Sequence, residues 1–375
     1  MWIATVNNGD WPSRRDLTVD QQKQELLAIL DRVASLHLNA VFLQIRPAAD
    51  AFYASEHEPW SEFLTGAMGK APEPLYDPLA FAIEESHKRG LELHAWFNPF
   101  RGRRPSGEAA ARVIRDNPAH VHDYGRFVWT DPGSDNVQRQ VLAVVADVVR
   151  RYDVDGVHLD DYFYPYPEKD PSGRDVDFPD DATWQAYRAG GGALTREAWR
   201  RDNINRFVRD LYRTVKAIKP KVEVGISPFG IWRPGHPRQI RGLDAYARIY
   251  ADSRLWLQNG WVDYLAPQLY WPIAKREQSF PALLRWWTRQ DTRSRGIVVG
   301  MSIYRVGTGR PNSIAAEEIG RQLALIRGND RAVGFILFSA KTLMQDRGGI
   351  NAVLSRAMEQ RDRNGDPIAL TPAAR

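Results

Sequence analysis

The chain has 375 residues, of which 43% are hydrophobic and 26% charged, with a formal net charge of +5. This composition excludes a disordered chain, and the absence of cysteine excludes disulfides, thiolate catalysis and cysteine-ligated zinc sites. The basic residues are scattered over helix-like segments, which favours solvated helix faces over a nucleic-acid groove. No run of eighteen apolar residues occurs, so no transmembrane segment is predicted.

Short β-rich runs alternate with amphipathic helical stretches, as expected for repeated βα units around a parallel sheet. Eight such runs, together with the absence of a GxGxxG or GxxxxGK[ST] phosphate loop, predict a closed (β/α)8 TIM barrel of the α/β class. We predict one domain over residues 1–361 and a C-terminal tail over residues 362–375. The runs are residues 2–7, 39–47, 91–99, 156–162, 222–230, 262–271, 297–304 and 334–340.

Four of the intervening stretches carry apolar side chains at helical spacing, and the first opens with a capping-box pattern at Thr18 and Gln21. Two connections are longer than the others, from residue 47 to about 78 after the second strand and from 162 to about 196 after the fourth. Loops that follow barrel strands lie on the C-terminal face, where active sites of this fold are found. Both insertions are therefore expected to enlarge the same mouth.

Side chains alternate along a strand, so each run divides into an inward and an outward row. In the fourth run, Val157 and Leu159 form the outward apolar row, while His158 and Asp160 point into the barrel. Arg46 and Asp160 carry opposite charges near strand ends, so each is expected to neutralise the other, in a structural or a functional role. The same alternation directs Gln44, His94, Trp96, Asn98, Ser227, Gln268, Tyr270, Ser302 and Tyr304 inward.

Several of these side chains also have a purely structural interpretation. A lone inward histidine such as His94 or His158 is more often a hydrogen-bonded interior residue than a metal ligand, and no HxH or HExxH spacing occurs. We therefore predict neither a metal nor a cofactor. Gln44 and Gln268 are equally well explained as partners of interior polar groups. The aromatic stretch 162–166 either packs a long loop or forms sugar subsites.

Asp160 and Asp161 are the strongest candidates for chemistry. Glycoside hydrolysis usually needs two carboxyls, about 5–5.5 Å apart for retention and about 6.5–9.5 Å apart for inversion. Neighbouring side chains on an ideal strand point to opposite faces of the sheet. Asp160 and Asp161 can therefore act on the same glycosidic bond only if the strand ends between them. Otherwise the second carboxyl comes from elsewhere, and Glu56, Glu58 and Asp131 lie in loops that reach the mouth without a distinguishing pattern.

Six motifs in one order resemble the glycosyl hydrolase-like family ten, a bacterial group of barrel proteins: IATVNNGDWPS, LQIRPAADAFY, HAWFNPFR, DGVHLDDYFYP, GISPFGIWRPG and YLAPQLYW. The resemblance extends from Trp2 to about Leu343. It implies a glycosidase of the cell envelope, periplasmic or lipid-anchored after removal of a leader, that cleaves peptidoglycan glycan strands stripped of their peptides. Cell-division or envelope proteins are the partners that it implies.

A more distant likeness links GVHLD to the nucleophile strand of α-amylase-type barrels, which maps the nucleophile onto Asp160. The sequence departs from that pattern because no glutamate ends the fifth run, GISPFG. An α-glucan hydrolase is therefore one rival to the envelope glycosidase. The principal rival is a carbohydrate-binding barrel without catalysis.

Two mechanistic hypotheses stay open for the acids. In one, Asp160 is the nucleophile or base and its partner is unidentified; in the other, Asp161 is the acid and Asp160 orients an N-acetyl group of the substrate that acts as the nucleophile. The predicted catalytic residues are thus Asp160 and Asp161. The predicted substrate-binding residues are Gln44, Arg46, Asn98, His158, Tyr162, Trp232, Gln268, Tyr270, Trp271 and Tyr304.

Overall fold

The structure, a computed structural model, describes residues 1–103 and 111–359. Eight parallel strands form one sheet: β1 (Trp2–Ile3), β2 (Ala40–Arg46), β3 (Glu92–Phe97), β7 (Gly156–Leu159), β8 (Glu223–Ile226), β9 (Tyr264–Leu265), β10 (Ile297–Ser302) and β11 (Ala332–Phe338). A separate antiparallel sheet contains β4 (Arg101–Gly102), β5 (Val121–Tyr124) and β6 (Phe127–Thr130) in the order β4-β6-β5.

The parallel strands are paired in chain order, as in a barrel. The last of them, β11, returns beside β1, where the rings of Phe338 and Trp2 meet edge to face with their centroids 6.0 Å apart. The sheet is therefore a nearly closed barrel, which confirms the predicted (β/α)8 fold. The predicted tail, residues 362–375, lies outside the described residues, and the single-domain boundary at residue 361 stays a prediction.

Helices connect the strands, and in the described ranges none is both long and apolar enough to cross a membrane. They are α1 (Val19–Ser35), α2 (Glu62–Thr65), α3 (Pro78–His87), α4 (Arg112–Arg115), α5 (Asp135–Arg151), α6 (Asp181–Ala189), α7 (Arg196–Ile218), α8 (Ala245–Arg248), α9 (Ser253–Asn259), α10 (Phe280–Gln290), α11 (Ala316–Arg327), α12 (Ala340–Met344) and α13 (Ile350–Glu359).

The capping box predicted at the start of α1 is confirmed. The Thr18 hydroxyl accepts a hydrogen bond from the Gln21 backbone N–H, and the Gln21 side chain accepts one from the Thr18 N–H. These two bonds satisfy amides that the first helical turn leaves without partners. Apolar residues of the helices then face the barrel, for example Leu26, Leu30 and Val33 of α1, which are fully buried.

Large side chains fill the barrel interior where glycines make room for them. A Cβ atom on Gly156 of β7 would lie 2.1 Å from the His94 ring, and one on Gly225 of β8 would lie 1.8 Å from the Tyr264 ring. Only glycine permits these rings to lie flat across the neighbouring strands. The His94 and Tyr264 rings in turn form the floor beneath the C-terminal mouth.

Three long connections surround the mouth, one more than the sequence analysis identified. The two predicted insertions are present: residues 47–77 follow β2 and contain α2, and residues 160–195 follow β7 and contain α6. The third, described over residues 98–103 and 111–134, follows β3 and contains α4 and the small antiparallel sheet. The sequence analysis did not predict its short strands, because they are paired with each other and lack the apolar pattern of barrel strands.

Candidate active site

Asp160 and Asp161 lie at the mouth because β7 ends at Leu159, one residue before them. The chain turns there, and the Tyr162 N–H donates to the Asp160 carboxylate over 3.0 Å. Strict strand alternation therefore does not apply to the pair. Both side chains are nearly buried, with 7% of Asp160 and 3% of Asp161 exposed, and the charge of Asp160 acts on Asp161. The two carboxyls belong to one site.

Asp160 is held by three donors. Its Oδ2 accepts from the Asn98 Nδ2 over 2.6 Å and from the Trp96 Nε1 over 3.2 Å, while its Oδ1 accepts the Tyr162 N–H. Burial raises the pKa of Asp160, and the nearby positive charge of Arg101 and these three donors act against that rise. The carboxylate is thus fixed in position and supported in its charged form.

The Asn98 side-chain amide is itself held in place by two hydrogen-bond donors on the side away from Asp160. Its Oδ1 accepts from the Gln44 Nε2 over 2.6 Å and from an Arg101 Nη over 2.9 Å, which leaves its NH2 group to donate to the aspartate. The Gln44 Oε1 accepts the backbone N–H groups of Thr5 and Val6, each over 2.9 Å. Gln44, predicted to bind substrate, is fully buried, and both ends of its amide have protein partners. That prediction is wrong, because Gln44 positions Asn98 instead.

Asp161 has a different environment. The Tyr166 hydroxyl donates to its Oδ2, and Gln268, which follows β9, hydrogen-bonds to the same carboxyl. Burial and the negative charge of Asp160 raise the pKa of Asp161 to about 7, against the effect of these two donors. Asp161 therefore holds its proton near neutral pH. The placement of Gln268 agrees with its predicted position at the mouth.

Arg46 does not face Asp160, contrary to the sequence prediction. The pairing of β2 with β3 shifts register between Gln44 and Arg46, which takes the arginine out of the inward row. Its guanidinium instead pairs with Glu58, from the connection after β2, and donates to the Asn98 carbonyl. The side chain is 0% exposed. The predicted role in substrate binding is wrong, because this ion pair is sealed behind the site.

The prediction that His158 binds substrate is also wrong. It is fully buried one layer below Asp160, where it accepts from the Trp2 Nε1 over 3.1 Å. Its ring nitrogens also lie 3.0 Å from the Tyr264 hydroxyl and 3.1 Å from the Ser227 hydroxyl. Burial lowers the pKa of His158 well below its usual value, so the ring is neutral. The structural interpretation of this histidine holds.

Aromatic side chains line the mouth around the two acids. The Tyr162 ring stacks on Trp129 with centroids 6.3 Å apart, and the Arg101 guanidinium lies over it. On the other side, Tyr270 packs against Tyr304 with centroids 6.0 Å apart. Burial and the charges of both aspartates raise the pKa of Tyr270, which places its phenol close to them. Tyr162, Tyr270 and Tyr304 are partly exposed, as a sugar-binding wall requires, whereas Trp129 is buried.

Trp271 joins this wall through Phe229, whose ring meets it edge to face with centroids 5.6 Å apart. Trp232 does not join it. The Trp232 indole N–H donates to Asp252 over 3.0 Å, its ring stacks on Trp286, and only 8% of the residue is exposed. The Trp232 side chain is packed between the loop after β8 and α10, and its contact with substrate stays a prediction.

The loop acids considered as partners have other contacts. Glu58 is buried against Arg46, and the Asp131 carboxylate accepts from the Thr183 hydroxyl and the Gly133 N–H. Glu56 is exposed. Within residues 1–103 and 111–359, no group of three or more His, Cys, Asp or Glu is arranged to hold a metal ion. Asp160 and Asp161 are thus left as the candidate pair.

The sequence analysis assigned no individual role to three side chains around the pair: Trp96 and Tyr166, which donate to the aspartates, and Arg101, which donates to Asn98. The alternation of side chains along the third run already directed Trp96 inward. Arg101 ends the HAWFNPFR motif and Tyr166 lies in the aromatic stretch after the acids, so motif membership was the available signal. Contact between Arg101 and the site depends on the loop after β3, whose path no strand pattern predicts.

A barrel of this kind, with two carboxyls in unlike environments between aromatic walls, has the architecture of a glycosidase. The chain belongs to the family Glycosyl hydrolase-like 10, whose family model matches residues 1–316. It is similar to the glycosyl hydrolase YngK of Bacillus subtilis, with 41% identity over 95% of this chain and 70% of that one. It is also similar to the glycosyl hydrolase DigH of Escherichia coli, with 36% identity over 90% of this chain and 82% of that one.

Solved structures show the same fold at low sequence identity. The glycoside hydrolase domain of PgaB (BpsB) from Bordetella bronchiseptica matches with a TM-score of 0.60 and 15% identity, over 92% of this chain and 96% of that one. The catalytic domain of β-amylase from Paenibacillus polymyxa matches with a TM-score of 0.58 and 10% identity, over the same shares. Family membership and the named relatives identify the protein as a glycosidase.

Proposed function

We propose that the protein hydrolyses glycan strands of the bacterial cell envelope, above all peptide-free peptidoglycan, with Asp160 and Asp161 as its catalytic residues. The observation that carries this proposal is the asymmetry of the pair: Asp160 is held by three donors near Arg101, while the pKa of Asp161 is raised to about 7. Burial raises the pKa of both carboxyls, but only Asp160 has the positive charge of Arg101 among the groups that oppose the rise, and this difference in surroundings suits a division of roles between an orienting group and an acid.

In this mechanism Asp161 protonates the leaving glycosidic oxygen. The N-acetyl oxygen of the sugar attacks the anomeric carbon as the C–O bond breaks, while Asp160 accepts the acetamide N–H and orients it. Water then opens the cyclic intermediate, and the Asp161 carboxylate takes its proton. The net configuration at the anomeric carbon is retained, because the bond is displaced twice.

The contacts of Asp160 favour this orienting role over direct attack by Asp160. Its two oxygens already accept three hydrogen bonds, from Trp96, Asn98 and Tyr162. Each bond lowers the electron density available for attack, whereas a fixed, charged acceptor suits the orientation of an acetamide. Direct attack by Asp160 remains the second mechanism, and both mechanisms retain configuration.

The polymer is proposed from the chemistry and from the family resemblance. Peptidoglycan sugars carry the N-acetyl groups that the mechanism uses, and the partly exposed tyrosines Tyr162, Tyr270 and Tyr304 near the acids suit stacking on a glycan. A location in the cell envelope, periplasmic or lipid-anchored, is part of this proposal because the substrate lies there.

The direct test compares the release of new reducing ends from peptide-free peptidoglycan, intact peptidoglycan and an α-glucan. We expect hydrolysis of the peptide-free strands and its loss in Asp160→Asn and Asp161→Asn. Binding to glycan without new reducing ends would favour the non-catalytic barrel, and hydrolysis confined to the α-glucan would favour that rival.

The anomer formed in early turnover, followed by NMR, tests the mechanism. We expect retention. A peptide-free glycan whose N-acetyl groups have been removed separates the two retaining mechanisms, because it lacks the internal nucleophile. Its continued hydrolysis would favour direct attack by Asp160, and an inverted product would contradict both mechanisms.

A further inference from the structure

A second concave region lies on the C-terminal face, away from the two aspartates. It has a volume of about 460 Å³ and is lined by Arg238, Gln239, Arg241, Arg276 and Glu277. We call these five residues the arginine pocket. They come from two loops, residues 227–244 after β8 and residues 266–279 after β9. Loops after parallel strands lie at the same end of the barrel, so the pocket opens on the side of the candidate site.

Backbone contacts hold the two loops together. The Arg241 N–H donates to the Glu277 carbonyl over 2.8 Å, and the Gln278 side chain donates to the Arg241 carbonyl over 2.8 Å. An Arg241 Nη also donates to the Arg238 and Ile240 carbonyls, over 2.8 and 2.9 Å. The guanidinium of Arg241 is thus anchored by neutral oxygens, which leaves its charge uncompensated.

The charge of the pocket is positive and accessible. In the part of the chain that the structure describes, no ion pair involves Arg238, Arg241 or Arg276, and all three are exposed. Nearby Arg233, by contrast, pairs with Asp244 at 3.3 Å. Three guanidinium groups face a single carboxyl, that of Glu277. Such a pocket attracts carboxylates, with which guanidinium forms paired hydrogen bonds.

A line of aromatic contacts joins the pocket loops to the two acids. Tyr166, which donates to Asp161, lies beside Phe229 with centroids 6.2 Å apart. Phe229 meets Trp271 at 5.6 Å, and these two residues stand at the bases of the two pocket loops. The aromatic line thus runs from the Asp161 partner Tyr166 to the bases of both pocket loops, which gives a bound glycan a continuous set of rings between the acids and those loops.

We propose that the arginine pocket binds a free carboxylate on the glycan, namely the lactyl carboxylate of a muramic acid residue. This inference rests on the proposed function. When a stem peptide is attached, that carboxyl is an uncharged amide; when the peptide is removed, each muramic acid carries one negative charge. The pocket therefore selects a carboxylate attached directly to the sugar, a position that an attached stem peptide occupies with an uncharged amide. A compact group of three arginines suits one carboxylate, whereas a nucleic acid requires a longer basic stripe.

The test measures binding in an Asp160→Asn background, which separates recognition from turnover. The probes are peptide-free glycan strands and the same strands with their carboxyls reduced to alcohols. The pocket variant is Arg238→Gln/Arg241→Gln/Arg276→Gln. The matched control, Arg139→Gln/Arg213→Gln/Arg331→Gln, removes the same charge from exposed arginines on the outer surface.

We expect the unaltered pocket to bind the carboxylated strands at least about tenfold more tightly than the reduced ones, as charge-assisted hydrogen bonds predict. The pocket variant should lose this difference, and the control variant should keep it. Equal affinity for both strands, or an equal loss in the control, would overturn the proposal. So would tighter binding of a single-stranded oligonucleotide at the same arginines.

The outcomes separate this inference from the proposed function. Turnover is measured separately in protein that retains Asp160. New reducing ends from both kinds of strand at equal rates, unchanged when the three pocket arginines are replaced, would overturn carboxylate recognition and leave the hydrolase standing. Failure of the protein to bind or cut either strand would overturn both.

Discussion

Asp160 and Asp161 are adjacent in sequence, yet their carboxyls are held by donors from different sides of the mouth. Asp160 accepts from Trp96 and Asn98, on the side of β3, and Asp161 accepts from Tyr166 and Gln268, in the direction of β9. A chain turn directly after β7 makes this division possible. Two neighbouring acids thereby acquire different surroundings, which is what the proposed division of roles between them requires.

Each aspartate is expected to be necessary for hydrolysis while neither is needed for folding. Asp160→Asn and Asp161→Asn should each lower kcat about 10²- to 10⁴-fold, because each removes a group that acts in proton transfer or in substrate orientation. The measurement is release of reducing ends from peptide-free glycan, with circular dichroism and glycan binding as controls for the fold. A variant with parental turnover would show that its aspartate is not catalytic.

The rate should depend on pH through the proton on Asp161. Its pKa is raised to about 7, and the acid form is the one that protonates the leaving oxygen. We therefore expect kcat/KM to fall as pH rises through about 7. The fall should follow one deprotonation in the free enzyme. A rate that keeps rising to pH 9 would contradict the role of Asp161 as the acid.

Stability should show the same titration. Burial favours the neutral form of Asp161, so its pKa lies above the ordinary value of 3.8 in the folded state. The stabilisation that the neutral form of Asp161 provides is fully present below about pH 4, and it is lost as pH rises through about 7. Asp161→Asn lacks the titrating group. The Tm of this variant, relative to the parent, should therefore rise between pH 4 and pH 8; a constant difference would contradict the shifted pKa.

Tyr166→Phe offers a finer test of the same acid. The Tyr166 hydroxyl donates to Asp161 and lowers its pKa, in opposition to burial. Without it, the alkaline fall in kcat/KM should move to higher pH. Tyr162→Phe is a matched control, because the Tyr162 contact with Asp160 comes from its backbone N–H, which phenylalanine keeps. An unmoved profile in Tyr166→Phe would mean that the hydroxyl does not act on Asp161.

Arg101 should act as a positioning residue. It donates to the Asn98 Oδ1 over 2.9 Å, and its charge lowers the pKa of Asp160. Arg101→Gln should reduce kcat about 10- to 100-fold, the range expected for loss of a charge-assisted bond, with a smaller change in KM. Arg101→Lys keeps the charge and should recover part of the rate. A change in KM alone would instead indicate direct contact with substrate.

The regular part of the barrel was predictable from the sequence. Alternation correctly directed Trp96, Asn98 and Asp160 toward one axis, because side chains of barrel strands have only two faces to occupy. The same rule failed at Arg46, since one register shift in β2 moves every later side chain to the other row. Nothing in the residue types AVFLQIR marks that shift.

The other departures from the expected site have a different cause. His158 and Trp232 have residue types that suit either a ligand site or a packed interior, and only the neighbours decide between the two. His158 meets Trp2, which is 156 residues away in the chain, and Trp232 meets Trp286 from α10. Such partners depend on how the barrel closes and how the loops fold back. Local sequence patterns carry no information on these contacts.

Arg46 and Glu58 provide a test of the corrected assignment. Their side chains are 0% and 1% exposed, so Arg46→Ala leaves a carboxylate buried without its partner. We expect a loss of about 3–5 kcal/mol in the free energy of unfolding, measured with urea. Burial already raises the pKa of Glu58, so Glu58 should take up a proton in this variant, and the loss should be smaller at acid pH.

The double variant Arg46→Met/Glu58→Leu separates a structural pair from a substrate-binding arginine. Removing both charges avoids an uncompensated buried carboxylate, so the double variant should be more stable than Arg46→Ala despite the carbonyls of Asn98 and Pro99 that lose a donor. Its KM should stay close to the parental value. A raised KM with unchanged stability in Arg46→Ala would show that Arg46 binds substrate, because removing one partner of a sealed ion pair leaves a buried charge that weakens the fold.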